Sequence, residues 1–214
     1  MKLLIKFFIV SLISINAFSL KVGADTQSPV GVVIKTTAGE IHVEVYPDKA
    51  PHSSASFLKA IDNGLFKNDR GAFYRTVRPD NDNDAGIEVI QGGIFPTDLL
   101  IQTIETTLPL VVHETTKETG LLHLDGTLSL ARGKGSTGSG AMFFICIGKQ
   151  PTLDYGGKNR YEDGIGFSAF GTVTKGMDIV RRIQTMKTQV ATTDNAYAQQ
   201  MLIEPVKILE TYRK

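Results

Sequence analysis

Cysteine is almost absent from this chain: a single residue, Cys146, in 214, so no disulfide can close within it. Tryptophan is missing altogether, and proline contributes only eight residues. No sign of charge dominates, since 23 Lys and Arg face 22 Asp and Glu, a formal charge of +1. That balance excludes the basic excess of a nucleic-acid-binding domain. Long apolar runs are missing too. The longest candidate, Phe7 to Ile13, is interrupted by Ser11 and followed by Ser14 and Asn16, short of the ~18 apolar residues of a spanning helix. The usual reactive constellations fail in the same way. The four histidines (42, 52, 113 and 123) have no convergent metal-ligand spacing. His113-Glu114 opens like a zinc-protease helix, but Lys117 stands where the second histidine belongs. The glycine-rich run 133–140 looks like a phosphate cradle, yet Gly135 follows Lys134 where a P-loop requires Ser or Thr. Neither Ser136 nor Ser139 has the flanking glycines of a nucleophile elbow.

What is present is ordinary globular composition, 42% hydrophobic and 21% charged, in a length that suits one domain. The first 24 residues differ from the rest. Lys2 and Lys6 flank a short apolar run, and Val22-Gly23-Ala24 supplies small residues suited to a cleavage site, the pattern of a secretory signal. No cysteine follows the run as a lipid-anchor site. Residues 1–24 are therefore expected to be a cleavable signal peptide and 25–214 the working domain, exported and periplasmic, with no membrane insertion after cleavage. Removing the three lysines of the signal leaves 20 basic against 22 acidic side chains, a formal charge of −2. Cys146 lies in the apolar run 142–147 and reads as a buried, inert residue.

Strand signals dominate the remainder. Ile41, Val43 and Val45 alternate with polar neighbours, the period of a half-buried strand, and pair with 30–35 as a hairpin. Further β-type runs fall at 72–77, 87–91, 108–113, 126–131, 142–147, 167–173 and 201–209, which makes nine in all. Two helices are expected. The first, 51–63, opens on Pro51 and ends before Gly64; the second spans 176–187, with Met177, Ile179, Val180 and Ile183 at helical spacing. Short strands with glycine punctuation point to a barrel or sandwich.

An ordered set of short runs remains: Ala50-Pro51 with Phe57-Leu58, Phe73-Tyr74-Arg75, Gln91-Gly92-Gly93, Gly126 to Ala131, Phe143-Phe144-Ile145, Phe170-Gly171 with Val173, and Lys175 to Val180. In this order they resemble the cyclophilin family of peptidyl-prolyl cis–trans isomerases, over roughly 32–209. The resemblance implies a mainly β fold, an eight-stranded antiparallel barrel capped by two helices. It implies no cofactor and no metal, and proline-containing polypeptides as substrates; a monomer is expected. It also gives meaning to the missing chemistry. Rotation about an X-Pro bond breaks no covalent bond, and its barrier of roughly 18–20 kcal/mol is amide resonance. A catalyst needs an apolar pocket, backbone anchors and a fixed donor for the twisted amide, not a nucleophile or a metal.

By resemblance, Arg75 matches the catalytic arginine and Gln91 the glutamine that positions the substrate backbone. Phe144 matches the aromatic floor of the proline pocket, with Val89, Leu153 and Phe167 as its walls. Ala131, Arg132 and Gly133 match the segment that pairs with the peptide backbone, and Phe73 and Met142 complete the expected peptide-binding set. Several positions depart from the family pattern. Met142 replaces a usual Gln, Arg132 a frequent Asn, Phe167 a frequent His or Tyr, and Thr152 an aromatic residue, so cyclosporin affinity is expected to be weak. Two other readings stand beside the isomerase: a proline-peptide-binding holdase with little catalysis, and a barrel carrying a small ligand in its interior.

Overall fold

The computed structural model describes residues 28–81, 86–95, 108, 110–133, 138–158, 161–190 and 196–214. The expected signal segment, 1–24, lies outside them, as do residues 134–137 of the glycine-rich run. Eight strands are formed: β1 (Val30–Thr36), β2 (Gly39–Val45), β3 (Gly71–Val77), β4 (Val89–Ile94), β5 (Thr127–Arg132), β6 (Gly138–Cys146), β7 (Ala169–Lys175) and β8 (Met201–Arg213). They close into a barrel in the order β1-β2-β7-β5-β6-β4-β3-β8. Every neighbouring pair is antiparallel. The eight-stranded antiparallel barrel expected from the sequence is therefore the fold.

The hairpin shows how local chemistry sets register. The Thr36 hydroxyl donates to the Gly39 carbonyl at 2.8 Å and accepts the Ala38 N–H at 3.1 Å, closing a tight turn. Val33 then faces His42, and Ile41, Val43 and Val45 all point inward, buried.

Three α-helices lie among the described residues: α1 (Pro51–Asp62), α2 (Thr116–Thr119) and α3 (Met177–Gln184). The sequence reading anticipated α1 and α3 only. The single turn α2 is written in a Thr115–Glu118 capping box, in which each side chain meets the other's backbone N–H. Two short 3₁₀ turns, Pro151–Leu153 and Ala196–Gln200, complete the described elements.

One expected strand is not formed among the described residues. Of 108 and 110–113, only Val111 pairs, in an isolated bridge to Gly138. Leu108 is buried while Leu110 and Val112 stand exposed at 65% and 67%, so the apolar residues described there share no buried face. The next residue, Glu114, caps α1 from a distance. Ala50 at the helix start offers no side-chain cap. Glu114 accepts the N–H groups of His52 and Ser53 at 2.9 and 2.8 Å and the Ser53 hydroxyl at 2.6 Å, placing a carboxylate at the positive end of the helix.

Phenylalanine fills the interior. Phe57 of α1 meets Phe143 at 5.2 Å and Phe170 at 5.1 Å between centroids, and Phe66 and Phe73 each stand edge-on to Phe143. Gly140 makes the close seating of α1 possible, because a Cβ there would fall 2.3 Å from the Phe57 nitrogen. Its own N–H donates to the Ser56 hydroxyl at 2.9 Å. Cutting Phe57 back to Ala would cost about 3–5 kcal/mol on this packing. An interior filled by side chains removes the reading of a barrel that carries a ligand inside.

Candidate functional site

Outside the barrel, four adjacent strands in the order β5-β6-β4-β3 present one continuous cleft of about 110 Å³. That is well below the ~300–1,000 Å³ of pockets for drug-sized ligands, and suits a single side chain. Phe144 on β6 forms the floor and Val89 on β4 stands beside it. Leu153 and Phe167 close the wall, with Ile87 and Ala131 at the margins. Phe144 and Phe167 meet edge to face at 5.5 Å and 85°. Arg75 on β3, Gln91 on β4 and Arg132 at the end of β5 supply the polar rim.

Arg75 reaches this outer face because β3 is irregular. Phe73 and Arg75, two residues apart, would share a face in a regular strand. The register shifts between them on both sides of β3, against β4 and against β8. Phe73 turns into the barrel, fully buried beside Phe143, while Arg75 turns out, half-buried. The expected peptide-binding role of Phe73 is therefore corrected: its ring is core. Gly92 on β4 admits it, since a Cβ there would lie 2.6 Å from Phe73 Cδ1.

Two glutamines hold Arg75. Nη1 donates to Gln91 Oε1 at 2.7 Å, and Gln91 in turn donates from Nε2 to the Tyr74 hydroxyl at 3.1 Å. Burial pushes the Tyr74 phenol above its ordinary range, against a smaller lowering by the Gln91 hydrogen bond, so it stays protonated at neutral pH. On the other side, Nε and Nη2 donate to Gln200 Oε1 at 3.0 and 2.5 Å.

Arg132 is held differently. Its side chain is 1% exposed and its fork meets the Asp163 carboxylate at 2.8 and 2.9 Å. Nε donates to the Gly166 carbonyl at 2.8 Å. The guanidinium lies 4.7 Å from the Tyr161 ring centroid and 4.8 Å from that of Phe167, and the Tyr161 hydroxyl donates to the Arg132 carbonyl at 2.8 Å. Hydrogen bonds from Arg132 hold the Asp163 carboxyl below the usual range.

Behind the floor, His123 stacks on Phe144 at 6.0 Å and 16°. His123 Nδ1 lies 2.7 Å from the Asp154 carboxylate, which accepts from it, and Nε2 lies 3.0 Å from the Ser129 hydroxyl. The order is that of a hydrolase triad, but Ser129 is fully buried, so the relay braces Phe144 and offers no nucleophile. Cys146 is buried as well, and burial pushes its thiol well above the ordinary range, as an inert residue requires.

The structure thus brings together Arg75, Gln91, Val89, Ala131, Arg132, Phe144, Leu153 and Phe167 from the sequence-derived set. Phe73 is excluded, and two others stand beside the cleft, outside its lining. Met142 is half-buried opposite Gly93, further along β6 than Phe144, and Gly133 is exposed beyond the end of β5. Sequence reasoning missed Ile87, which lay inside an expected strand, and the supports Gln200, Tyr161, Asp163 and His123. Each support lies in a turn or loop, where no periodicity marks it.

A family model described as cyclophilin type peptidyl-prolyl cis-trans isomerase/CLD matches residues 31–212. The chain is 29% identical over 203 residues to peptidyl-prolyl cis-trans isomerase A of Dickeya dadantii, covering 94% of this chain and 95% of that protein. It is also 29% identical over 195 residues to a peptidyl-prolyl cis-trans isomerase of Acinetobacter baylyi, with 91% of each covered. A crystal structure of a Cryptosporidium parvum cyclophilin type peptidyl-prolyl cis-trans isomerase is similar in fold, with a TM-score of 0.63 at 19% identity, covering 87% of this chain and 98% of that one. A second structure of that protein was determined in the presence of the dipeptide Ala-Pro, and matches with a TM-score of 0.61.

Proposed function

The chain belongs to the cyclophilin-type peptidyl-prolyl cis–trans isomerase family, and from that premise we propose that catalysis takes place in the Arg75–Gln91–Phe144 cleft, on proline-containing segments of exported polypeptides. The reaction is rotation about the X-Pro amide. The two isomers differ by only about 0.5–1 kcal/mol, but uncatalysed exchange takes about 10–100 s, so only the barrier needs help. At the top of that barrier the proline nitrogen has lost its conjugation and its lone pair accepts a hydrogen bond. A donor already in place stabilises this state and not the planar ground states.

Arg75 is suited to that role, and one observation carries the assignment. A guanidinium fixed by two neutral glutamine oxygens stands at the rim of an apolar cleft sized for one ring. The guanidinium stays protonated at any working pH, so its N–H groups remain donors. Phe144, Val89, Leu153 and Phe167 hold the proline ring and exclude water from the rotating bond. Gln91, in register with Arg75 across β3 and β4, is placed to anchor the backbone before proline. The Ala-Pro dipeptide named for the Cryptosporidium relative is the ligand class this cleft suits.

The test is an exchange measurement on an Ala-Pro peptide. Wild type should raise the interconversion rate far above the thermal rate, and Arg75→Ala should lower kcat/KM by about 10²–10³, the range seen on removing a fixed transition-state donor. Wild-type exchange at the thermal rate would leave a proline-peptide binder in place of the enzyme; full activity in Arg75→Ala would remove that residue from the mechanism. Export rests on the charged–apolar–small order of residues 1–24. Mass spectrometry of the protein recovered from an expressing bacterium should find an N-terminus near residue 25 in the periplasmic fraction. Uncleaved protein confined to the cytoplasm would refute export. The mature chain is proposed to act as a monomer.

A further inference from the structure

Arg75 is oriented from both neighbouring strands. β3 lies between β4 and β8, and Arg75 faces Gln91 on one side and Met201 on the other. Gln200 is the residue immediately before Met201, at the end of the Ala196–Gln200 turn. Its single oxygen accepts both Nε–H and an Nη2–H of Arg75, at 3.0 and 2.5 Å, while Gln91 accepts from Nη1. Two contacts along one edge of the fork fix the plane of the guanidinium as well as its position.

Gln200 is itself held. It is 5% exposed, and its Nε2 donates to the Asn81 carbonyl at 3.4 Å. With Nε2 toward a carbonyl and Oε1 toward a guanidinium, both contacts are hydrogen bonds, and the flipped amide would make neither. The Asn81 side chain ties the surrounding backbone: Nδ2 donates to the Thr76 and Gln199 carbonyls at 3.1 Å each, and Oδ1 accepts the Arg78 N–H at 2.9 Å. The end of β3 and the turn that carries Gln200 are thus joined at one buried asparagine.

We propose that Gln200 is a positioning residue for the isomerisation, acting through Arg75 and never touching the peptide; this rests on the reading of Arg75 as the transition-state donor. Because the donor is oriented before substrate arrives, no reorganisation is needed as the amide twists. Removing Gln200 leaves the cleft and its affinity in place but takes away the acceptor of Nε–H and Nη2–H that sets the plane of the fork.

The experiment uses the mature chain, an Ala-Pro peptide at saturating and sub-saturating concentrations, and four variants: Gln200→Met, Gln200→Glu, Arg75→Ala, and Gln200→Met with Arg75→Ala. Gln200→Met should lower kcat about tenfold with KM within about twofold of wild type, the split of an interaction made for the transition state. Gln200→Glu, which keeps an accepting oxygen, should recover kcat to within about threefold of wild type. In the Arg75→Ala background Gln200→Met should change nothing further, since the two act as one unit. The Arg75 Nε–H resonance, identified by its loss in Arg75→Ala, should exchange slowly with solvent in wild type and Gln200→Glu and fast in Gln200→Met.

Wild-type kcat in Gln200→Met while Arg75→Ala is inactive would overturn the inference and leave the cleft assignment standing. An equal loss in the Arg75→Ala background would also overturn it, by showing a structural effect. Full activity in Arg75→Ala would overturn the cleft assignment itself, and the inference with it. An unchanged Nε–H signal in Gln200→Met overturns the positioning whatever Arg75 does.

Discussion

Arg75 and Arg132 stand at opposite ends of the four-strand cleft, the first held by glutamine oxygens and the second by a carboxylate and two aromatic rings. Both are oriented, but to different ends. The amide oxygens of Gln91 and Gln200 fix Arg75, and it remains half-buried at the rim. Arg132 spends its charge on Asp163 and its flat face on Tyr161 and Phe167, with 1% of its side chain exposed. The same residue type is therefore a donor at one end and a wall at the other, and the partner chosen for it decides which.

The crossed pair of substitutions breaks or upholds this contrast most directly. Arg75→Ala should abolish most of the activity while the melting temperature stays within about 2 °C, the shift expected of a residue whose loss costs well under 1 kcal/mol. Arg132→Ala should do the reverse. It removes a buried hydrogen bond to Gly166 and the contact of two rings, and should cost about 2 kcal/mol, or roughly 4–8 °C in melting temperature, with kcat/KM within about tenfold of wild type. Equal losses of activity in the two variants would erase the distinction.

A smaller effect sharpens it. The Asp163 carboxyl is held below its ordinary value of 3.8 by Arg132, so its contribution to stability is complete above that pH and is lost as pH falls through the lowered value. The melting-temperature gap between wild type and Asp163→Asn should be constant from about pH 5 to 8 and close below about pH 4. A gap that persists at pH 2 would mean that Asp163 contributes through packing and not through its charge. Because the carboxylate is partly exposed, at 29%, the gap should also narrow in high salt.

How much of this was legible in the sequence follows the same division. The strands and α1 were readable because alternation and a proline start are local signals; Ile41, Val43 and Val45 face inward as their spacing requires. Arg75, Gln91 and the residues around Phe144 were singled out through the order of short motifs, and the fold brings them to one cleft. The bulge at β3 was not readable, so Phe73 was placed on the wrong side of the strand. Residues 108–113 had strand composition without a face to bury, and the cap supplied by Glu114 acts across 61 positions, beyond any local pattern. Gln200 and Asp163 are likewise single polar residues in turns and loops, and only the closed barrel brings them to the arginines they serve.

That closure has a consequence for the company the enzyme keeps. Every described strand already has a neighbour on both sides, with β8 returning to β1. An open sheet offers unpaired backbone groups to any extended chain that passes, and proline-containing segments not yet folded are such chains. A protein that works among them with an exposed edge would risk being drawn into a shared sheet with its own substrate. Here the closed barrel leaves no unpaired edge strand among the described strands, so a peptide at the cleft meets a short stretch of backbone and not a whole edge.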